Sequence, residues 1–315
     1  MWLAAWLAAS GSSSFADDRL HFVIPAGPGG GLDGTAREAG RTLKDLHLVD
    51  TVSFENVSGG GGGRAMSQFL ANAKRYENAL IVNSTPLIVR SLQGLFPHSY
   101  RDLTPIAGLI ADYGIFVVRT DHPIADWQSV IDKLEANPRS LNIGGGSVRG
   151  SLDHIVLALA LEAAGIDARG ARYLPYDGGG KAMLALLGGE TDLLSTGLGE
   201  TLPFITSGKV RVLAVTAQER IQVIAETPTL TELGYPVTIA NWRGVFAPLG
   251  AGPELVAAQL DRFQILTRSN NWQRVLIRHG WDPLDLHGDA FAAFLNEQEL
   301  MLEATLTKLG FVRAR

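Results

Sequence analysis

A two-lobed α/β protein is predicted by three observations. The chain has 315 residues, more than one hydrophobic core usually holds together. Short β-rich runs alternate with helix-period runs along most of its length. Glycine-rich turns stand where several of the strands give way to helices. That alternation is the pattern of crossover-connected, mostly parallel sheets.

Residues 20–24 read as the first strand, and Ala36, Ala39, Leu43 and Leu46 recur behind a glycine turn at helical spacing. The unit repeats: residues 51–55 precede the glycines at 59–63 and a helix near 64–74, and residues 79–83 precede Ser84 and another helix. A second series begins after a strand at 114–119, where Asp126 is a candidate N-cap for a helix whose buried stripe is Trp127, Val130, Ile131 and Leu134. Residues 141–143 lead through Gly144, Gly145, Gly146 and Ser147 to a helix with Leu152, Ile155, Val156 and Leu159 on its buried face. Residues 172–175 then lead through Gly178, Gly179 and Gly180 to a helix ending near Leu187, followed by strands at 191–194 and 210–216. The last third changes character, with helices at 253–267, 271–279 and 288–309; Phe291, Phe294, Leu295, Leu302, Leu306 and Leu309 form one face of the last. These pack as a covering layer.

Composition excludes several functions. Hydrophobic residues make up 46% and charged residues 19%, which suits a large buried core and not disorder. A net charge of -5 leaves no basic surplus for phosphate backbones, so nucleic acid is not an expected partner. The absence of cysteine removes disulfides, thiolate metal sites and thiol nucleophiles. None of the seven histidines shows HxxxH or HExxH spacing, so no metal and no cofactor is expected. No G-x-S-x-G elbow occurs; Ser84, Ser147 and Ser195 are read as hydrogen-bonding groups, and Asp153 beside His154 does not make a catalytic pair on a helix. No catalytic residue is assigned.

Binding is the chemistry the loops suggest. Ala26, Gly27, Pro28, Gly29, Gly30, Gly31 and Asp33 span a strand-to-helix turn, where backbone N–H groups and the helix dipole favour an anion. A tight turn with Asp33 merely capping the helix is the alternative. Leu32 breaks the dinucleotide glycine fingerprint, and no Gly-Lys-Ser/Thr follows any glycine run, so a small anion fits better than a nucleotide. The same kind of turn recurs at Gly145, Gly146, Ser147, Arg149 and Ser151 and again at Tyr176, Asp177, Gly178 and Gly179. Two lobes aiming N–H donors at one gap make a clamp that a carboxylate closes. Arg149 and Arg243 are the candidate guanidinium partners, each with a structural salt bridge as its alternative.

Read together, these loops resemble the substrate-binding proteins of tripartite tricarboxylate transporters, the Bug family. The resemblance rests on Val23 to Gly31 with Asp33, Ala36 and Arg37, then Glu55-Asn56-Val57 before the glycine run. Leu103-Thr104-Pro105, Pro175 to Gly180, Ser207-Gly208-Lys209, Pro228-Thr229-Leu230 and Trp242-Arg243-Gly244 follow in the family's order. It implies an α/β, type II periplasmic binding protein fold, with two α/β lobes joined by two crossover strands and the ligand cleft between them. Lobe 1 is expected over residues 17–118 and 236–315, and lobe 2 over 119–235. In the family, the loops matching Ala26 to Gly31 with Asp33, Gly145 to Ser151 and Tyr176 to Gly179 hold the carboxylate, and Ser84 falls in another cleft-facing loop. The implied ligand is a citrate-like tricarboxylate, a dicarboxylate or an aromatic acid, and the family also takes amino acids and nicotinate-type acids. The implied partners are the membrane subunits of the transporter, with the protein itself a monomer. A carboxylate-processing enzyme and a ligand-sensing partner of a sensor kinase are the competing readings. Five glycines at 59–63, where the family places proline and alanine, and Arg149 depart from the pattern.

Export is expected as well. Trp2 to Ala9 is apolar and Ser14-Phe15-Ala16 precedes Asp17 as a small-x-small site, so residues 1–16 read as a signal peptide and the mature protein as periplasmic. No Lys or Arg precedes Arg19, so the signal lacks its basic start, which a start codon upstream of Met1 would explain.

Overall fold

Ten strands and ten helices follow one another through residues 19–312, the part of the chain that the computed structural model describes. The expected signal peptide lies outside the described residues. The first series is β1 (Arg19–Ile24), α1 (Gly31–Asp45), β2 (Thr51–Asn56), α2 (Gly63–Ala71), β3 (Ala79–Ser84), α3 (Thr85–Leu92) and the long strand β4 (Leu103–Arg119). The second is α4 (Trp127–Ala136), β5 (Asn142–Gly145), α5 (Leu152–Ala163), β6 (Arg172–Pro175), α6 (Gly179–Leu187), β7 (Leu193–Gly197), α7 (Leu198–Thr206) and β8 (Val210–Val215). The chain returns through β9 (Ala240–Pro248) and ends in α8 (Pro253–Arg268), α9 (Asn270–His279), β10 (Asp282–His287) and α10 (Asp289–Lys308).

One strand belongs to two sheets. From Leu103 to Tyr113, β4 pairs antiparallel with β9 along that strand's whole length and with β10 on its other edge. From Gly114 to Arg119 the same strand pairs with β7 and β8. The first sheet is completed by the parallel strands β2, β1 and β3, with β3 against β9. In the second, β5 lies parallel between β6 and β7. This is the α/β periplasmic binding protein arrangement, and its glycine turns fall at the carboxyl ends of parallel strands, where open α/β sheets bind ligands.

The helices form where apolar spacing and end signals agree. Asp126 accepts the N–H of Ser129 at 2.8 Å and caps α4, whose Trp127, Val130, Ile131 and Leu134 are all buried. In α1, Ala36, Ala39 and Leu43 are buried, while Leu46 lies one residue beyond the helix as its C-cap. Helix α10 buries Phe291, Leu295, Leu302 and Leu306, and Phe294 packs at the edge of that core. Trp242 of β9 is 1% exposed and meets Phe291 edge-on at 5.9 Å, joining the returning strand to the C-terminal helix.

Replacing Trp242 with Ala is expected to cost about 3 to 5 kcal/mol of unfolding free energy, the usual range for emptying a large aromatic site. Urea denaturation checks this: the midpoint should fall while the slope is unchanged.

Candidate functional site

The first glycine turn runs from β1 to α1. Gly29 has a φ of +84°, a left-handed geometry that favours glycine. Asp33, in the first turn of α1, reaches back and accepts the Gly29 N–H at 2.9 Å. Its carboxylate also accepts Arg37 Nε and Asn56 Nδ2 at 2.9 Å, and Asn56 Nδ2 in turn donates to the Ala26 carbonyl at 3.0 Å. Burial works against the Asp33 charge, but these donors outweigh it and hold the carboxyl below its usual 3.8. Asp33 therefore fastens the turn from behind.

The second sheet supplies two turns that hold each other. Tyr176 N–H donates to the Gly145 carbonyl at 2.8 Å and Gly178 N–H to the Gly146 carbonyl at 3.0 Å. Those two donors, expected to face the gap, are tied between the β5–α5 and β6–α6 turns. Tyr173 Oη donates to the Ser147 carbonyl at 2.7 Å, and the Tyr173 ring leaves no room for a Cβ at Gly145. Ser147 Oγ accepts the Asp153 N–H at 3.1 Å, and Ser195 Oγ donates to the Asp153 carbonyl at 2.9 Å. His154 is buried and accepts the Gly150 N–H on Nδ1 at 2.9 Å; burial first and the nearby Arg149 second push it down to about 4, so the ring is neutral.

The turns of both sheets open onto one cleft. A cavity of about 180 Å³ is lined by Ala26, Gly30, Gly31, Leu32, Ser84 and Pro86 from the first series and by Gly146, Ser147, Gly178 and Gly179 from the second. A neighbouring cavity of about 440 Å³ shares Ser84, Gly146 and Ser147 and adds Ser151, Tyr176 and Asp177. Of the residues singled out in the sequence, Gly27, Pro28, Gly29, Asp33, Gly145 and Arg149 line neither. Arg149 is exposed, donates to the Tyr173 carbonyl and borders a separate cavity with His154 and Phe311. A further cavity of about 450 Å³ between 217–223 and α9 touches none of the glycine turns.

The cleft floor is charged. Arg243 of β9 is 2% exposed; its Nη2 donates to Asp112 Oδ2 of β4 at 2.6 Å and its Nη1 to Thr35 Oγ1 of α1 at 3.3 Å. Its guanidinium carbon lies 5.4 Å from the Trp281 ring centre. Gly199 N–H, in the first turn of α7, donates to Asp112 Oδ1 at 3.2 Å. Glu200 reaches across from the same turn and accepts the Gly31 N–H at 3.0 Å. A Cβ on Gly179 would strike the Glu200 carboxylate, and one on Gly31 would strike both Glu200 and the Arg243 guanidinium. A protein carboxylate thus sits between the amino ends of α1 and α6, where a ligand carboxylate was expected, and cavity volume remains beside it. Burial pushes Asp153 up to about 7, with the charges of Glu200 and Asp112 adding to the effect. Burial likewise raises Glu200 against the opposing pull of Arg243.

Asp112, Asp153, Glu200 and Asn241 line this cavity and were not singled out in the sequence as binding residues. Two signals point to them in retrospect. Asp112 is a lone acid in an apolar strand, and Gly197-Leu198-Gly199-Glu200 is a fourth glycine turn between a strand and a helix. Among the described residues, no group of three His, Cys, Asp or Glu side chains is placed to hold a metal ion.

Residues 36–311 match the family described as the tripartite tricarboxylate transporter family receptor. The chain belongs to that family. The receptor is 30% identical over 242 residues to BugT of Bordetella pertussis, covering 75% of this chain and 72% of that one. It is 28% identical over 252 residues to an uncharacterised-family protein encoded between tcbD and tcbE in Pseudomonas sp. strain P51, covering 79% and 73%. Among solved structures, the periplasmic binding protein BugD superposes with a TM-score of 0.83 at 25% identity, covering 93% of the receptor and 98% of BugD. MatC from Rhodopseudomonas palustris with bound malate superposes with 0.80 at 24% identity, over 91% and 99%. The family expected from the order of the motifs is the one found, and it is a family of solute-binding proteins, not of enzymes. Among the described residues no helix is long and apolar enough to cross a membrane.

Removing the Asp33 carboxylate leaves three donors without their acceptor, so Asp33→Ala is expected to lower the stability of the ligand-free receptor by about 1 to 3 kcal/mol. Because folding depresses this carboxyl, its contribution is complete above the usual 3.8 and is lost as pH falls through the lower folded value. The gap between native and variant stability should therefore be widest near neutrality and close in acid below about pH 4, as followed by urea unfolding across pH.

Proposed function

We propose that this receptor is an exported, periplasmic protein that captures a small carboxylate between its lobes and hands it to the membrane subunits of a tripartite transporter. The observation that carries this reading is the single cleft lined by glycine turns from both sheets. Ala26, Gly30, Gly31 and Ser84 form one wall, and Gly146, Ser147, Ser151, Tyr176, Asp177, Gly178 and Gly179 the other. The lobes comprise residues 17–118 with 236–315, and 119–235, with β4 and β9 as the crossovers. A ligand touching both walls binds the closed state better than the open one, and that differential drives closure. The bound malate of MatC and the adipate of a second R. palustris protein of this fold, with a TM-score of 0.84 at 22% identity, support the carboxylate class.

Thermal unfolding in the presence of malate, adipate, citrate and nicotinate tests the reading. A bound acid should raise the midpoint progressively with concentration, reaching about 2.7 kcal/mol of added stability at a hundred-fold excess over Kd. No displacement by any of the four at millimolar concentration would contradict carboxylate capture.

A further inference from the structure

Away from the glycine-lined cleft, α5 and the segment that follows α10 enclose a separate cavity of about 210 Å³. His154 of α5 lines it and is 7% exposed. Its Nδ1 accepts the Gly150 N–H at 2.9 Å, so the proton of the neutral ring sits on Nε2. That second N–H has no acceptor among the described residues, an unfavourable state for a donor so deeply placed. Arg149, on the same cavity, gives one N–H to the Tyr173 carbonyl and forms no salt bridge among the described residues. The other two charges of the lining are balanced: Arg169 donates to Asp167 at 2.9 and 2.8 Å and feels the attraction of Glu162 as well. Ala158, Leu309 and Phe311 make the rest of the wall apolar, with the Phe311 ring 5.1 Å from that of His154.

We infer that this cavity is a second ligand site, distinct from the cleft, for a monocarboxylic acid with an apolar tail. Arg149 and the His154 Nε2–H hold the carboxylate, which supplies the missing counter-charge of the one and the missing acceptor of the other. The tail lies against Ala158, Leu309 and Phe311. A diacid or a tricarboxylate is a poor occupant, because its further charge would be pressed onto an apolar wall without a partner. The neutrality of His154 agrees with the assignment: burial pushes the ring down to about 4, so at neutral pH it offers a donor of fixed position. The inference stands apart from carboxylate capture in the cleft, since none of these residues lines either cleft cavity.

Imidazole proton–nitrogen correlation spectra of the unaltered receptor read the site directly, with hexanoate as the probe and acetate and hexylamine as controls. The His154 Nε2 signal should move saturably with hexanoate, at a Kd about ten-fold or more below that for acetate, because hexanoate buries further methylenes. Hexylamine brings the wrong charge and should leave the signal in place. Arg149→Met should weaken hexanoate about ten-fold in the same titration, and the comparison of hexanoate with hexylamine decides the question even if that variant fails to fold. A His154 signal that ignores hexanoate at millimolar concentration, that follows hexylamine or acetate equally well, or that responds unchanged in Arg149→Met would overturn the site while leaving carboxylate capture in the cleft intact.

Discussion

A buried guanidinium needs partners, and Arg243 finds them for both terminal nitrogens in different parts of the chain, while its Nε is buried without a hydrogen-bond partner among the described residues. It ties β9 to β4 through Asp112, touches α1 through Thr35, lies near the Trp281 ring and sits in the field of Glu200. Stripping water from such a group is unfavourable unless its hydrogen bonds are remade inside, so the cluster is stable only when both crossover strands and α7 are in place. Arg243 thereby fixes the geometry of the cleft floor at the place where the two sheets share a strand.

The cleft walls follow from that floor. Gly31 and Gly179 come close to Glu200 because neither carries a Cβ, and this lets helices from different sheets aim their amino ends at one carboxylate. Other donors of the turns are tied within the protein, Gly29 to Asp33 and Tyr176 to Gly145. The turns are consequently held in shape before any ligand arrives, which reduces the ordering that binding must impose.

Much of the fold was legible because it depends on local pattern. The strand–glycine–helix units of both series, the Asp126 cap and the terminal amphipathic helix each follow from spacing within a dozen residues. Strand β10 was not legible: Asp282, Pro283 and Asp285 are poor strand formers, and it exists through pairing with β4. Nor was the length of β4, since the switch of partners at Gly114 is set by strands far away in sequence. The glycine walls of the site were visible as turns. Its acidic floor was not, because Asp112, Asp153 and Glu200 lie 41 and 47 residues apart along the chain and meet only through the sheets. Arg149, chosen for its chemistry within a promising loop, is on the far side of that loop's hydrogen bonds, with its donor committed to Tyr173.

The most direct test of this account is the equilibrium stability of Arg243→Met alone and combined with Asp112→Asn, measured by denaturant unfolding. The single change leaves buried carboxylates without their cation and should cost about 3 to 5 kcal/mol. Neutralising Asp112 as well should restore a substantial part of that loss. A single variant as stable as the native receptor, or a double variant no better than the single one, would contradict the claim that Arg243 holds the cleft floor together.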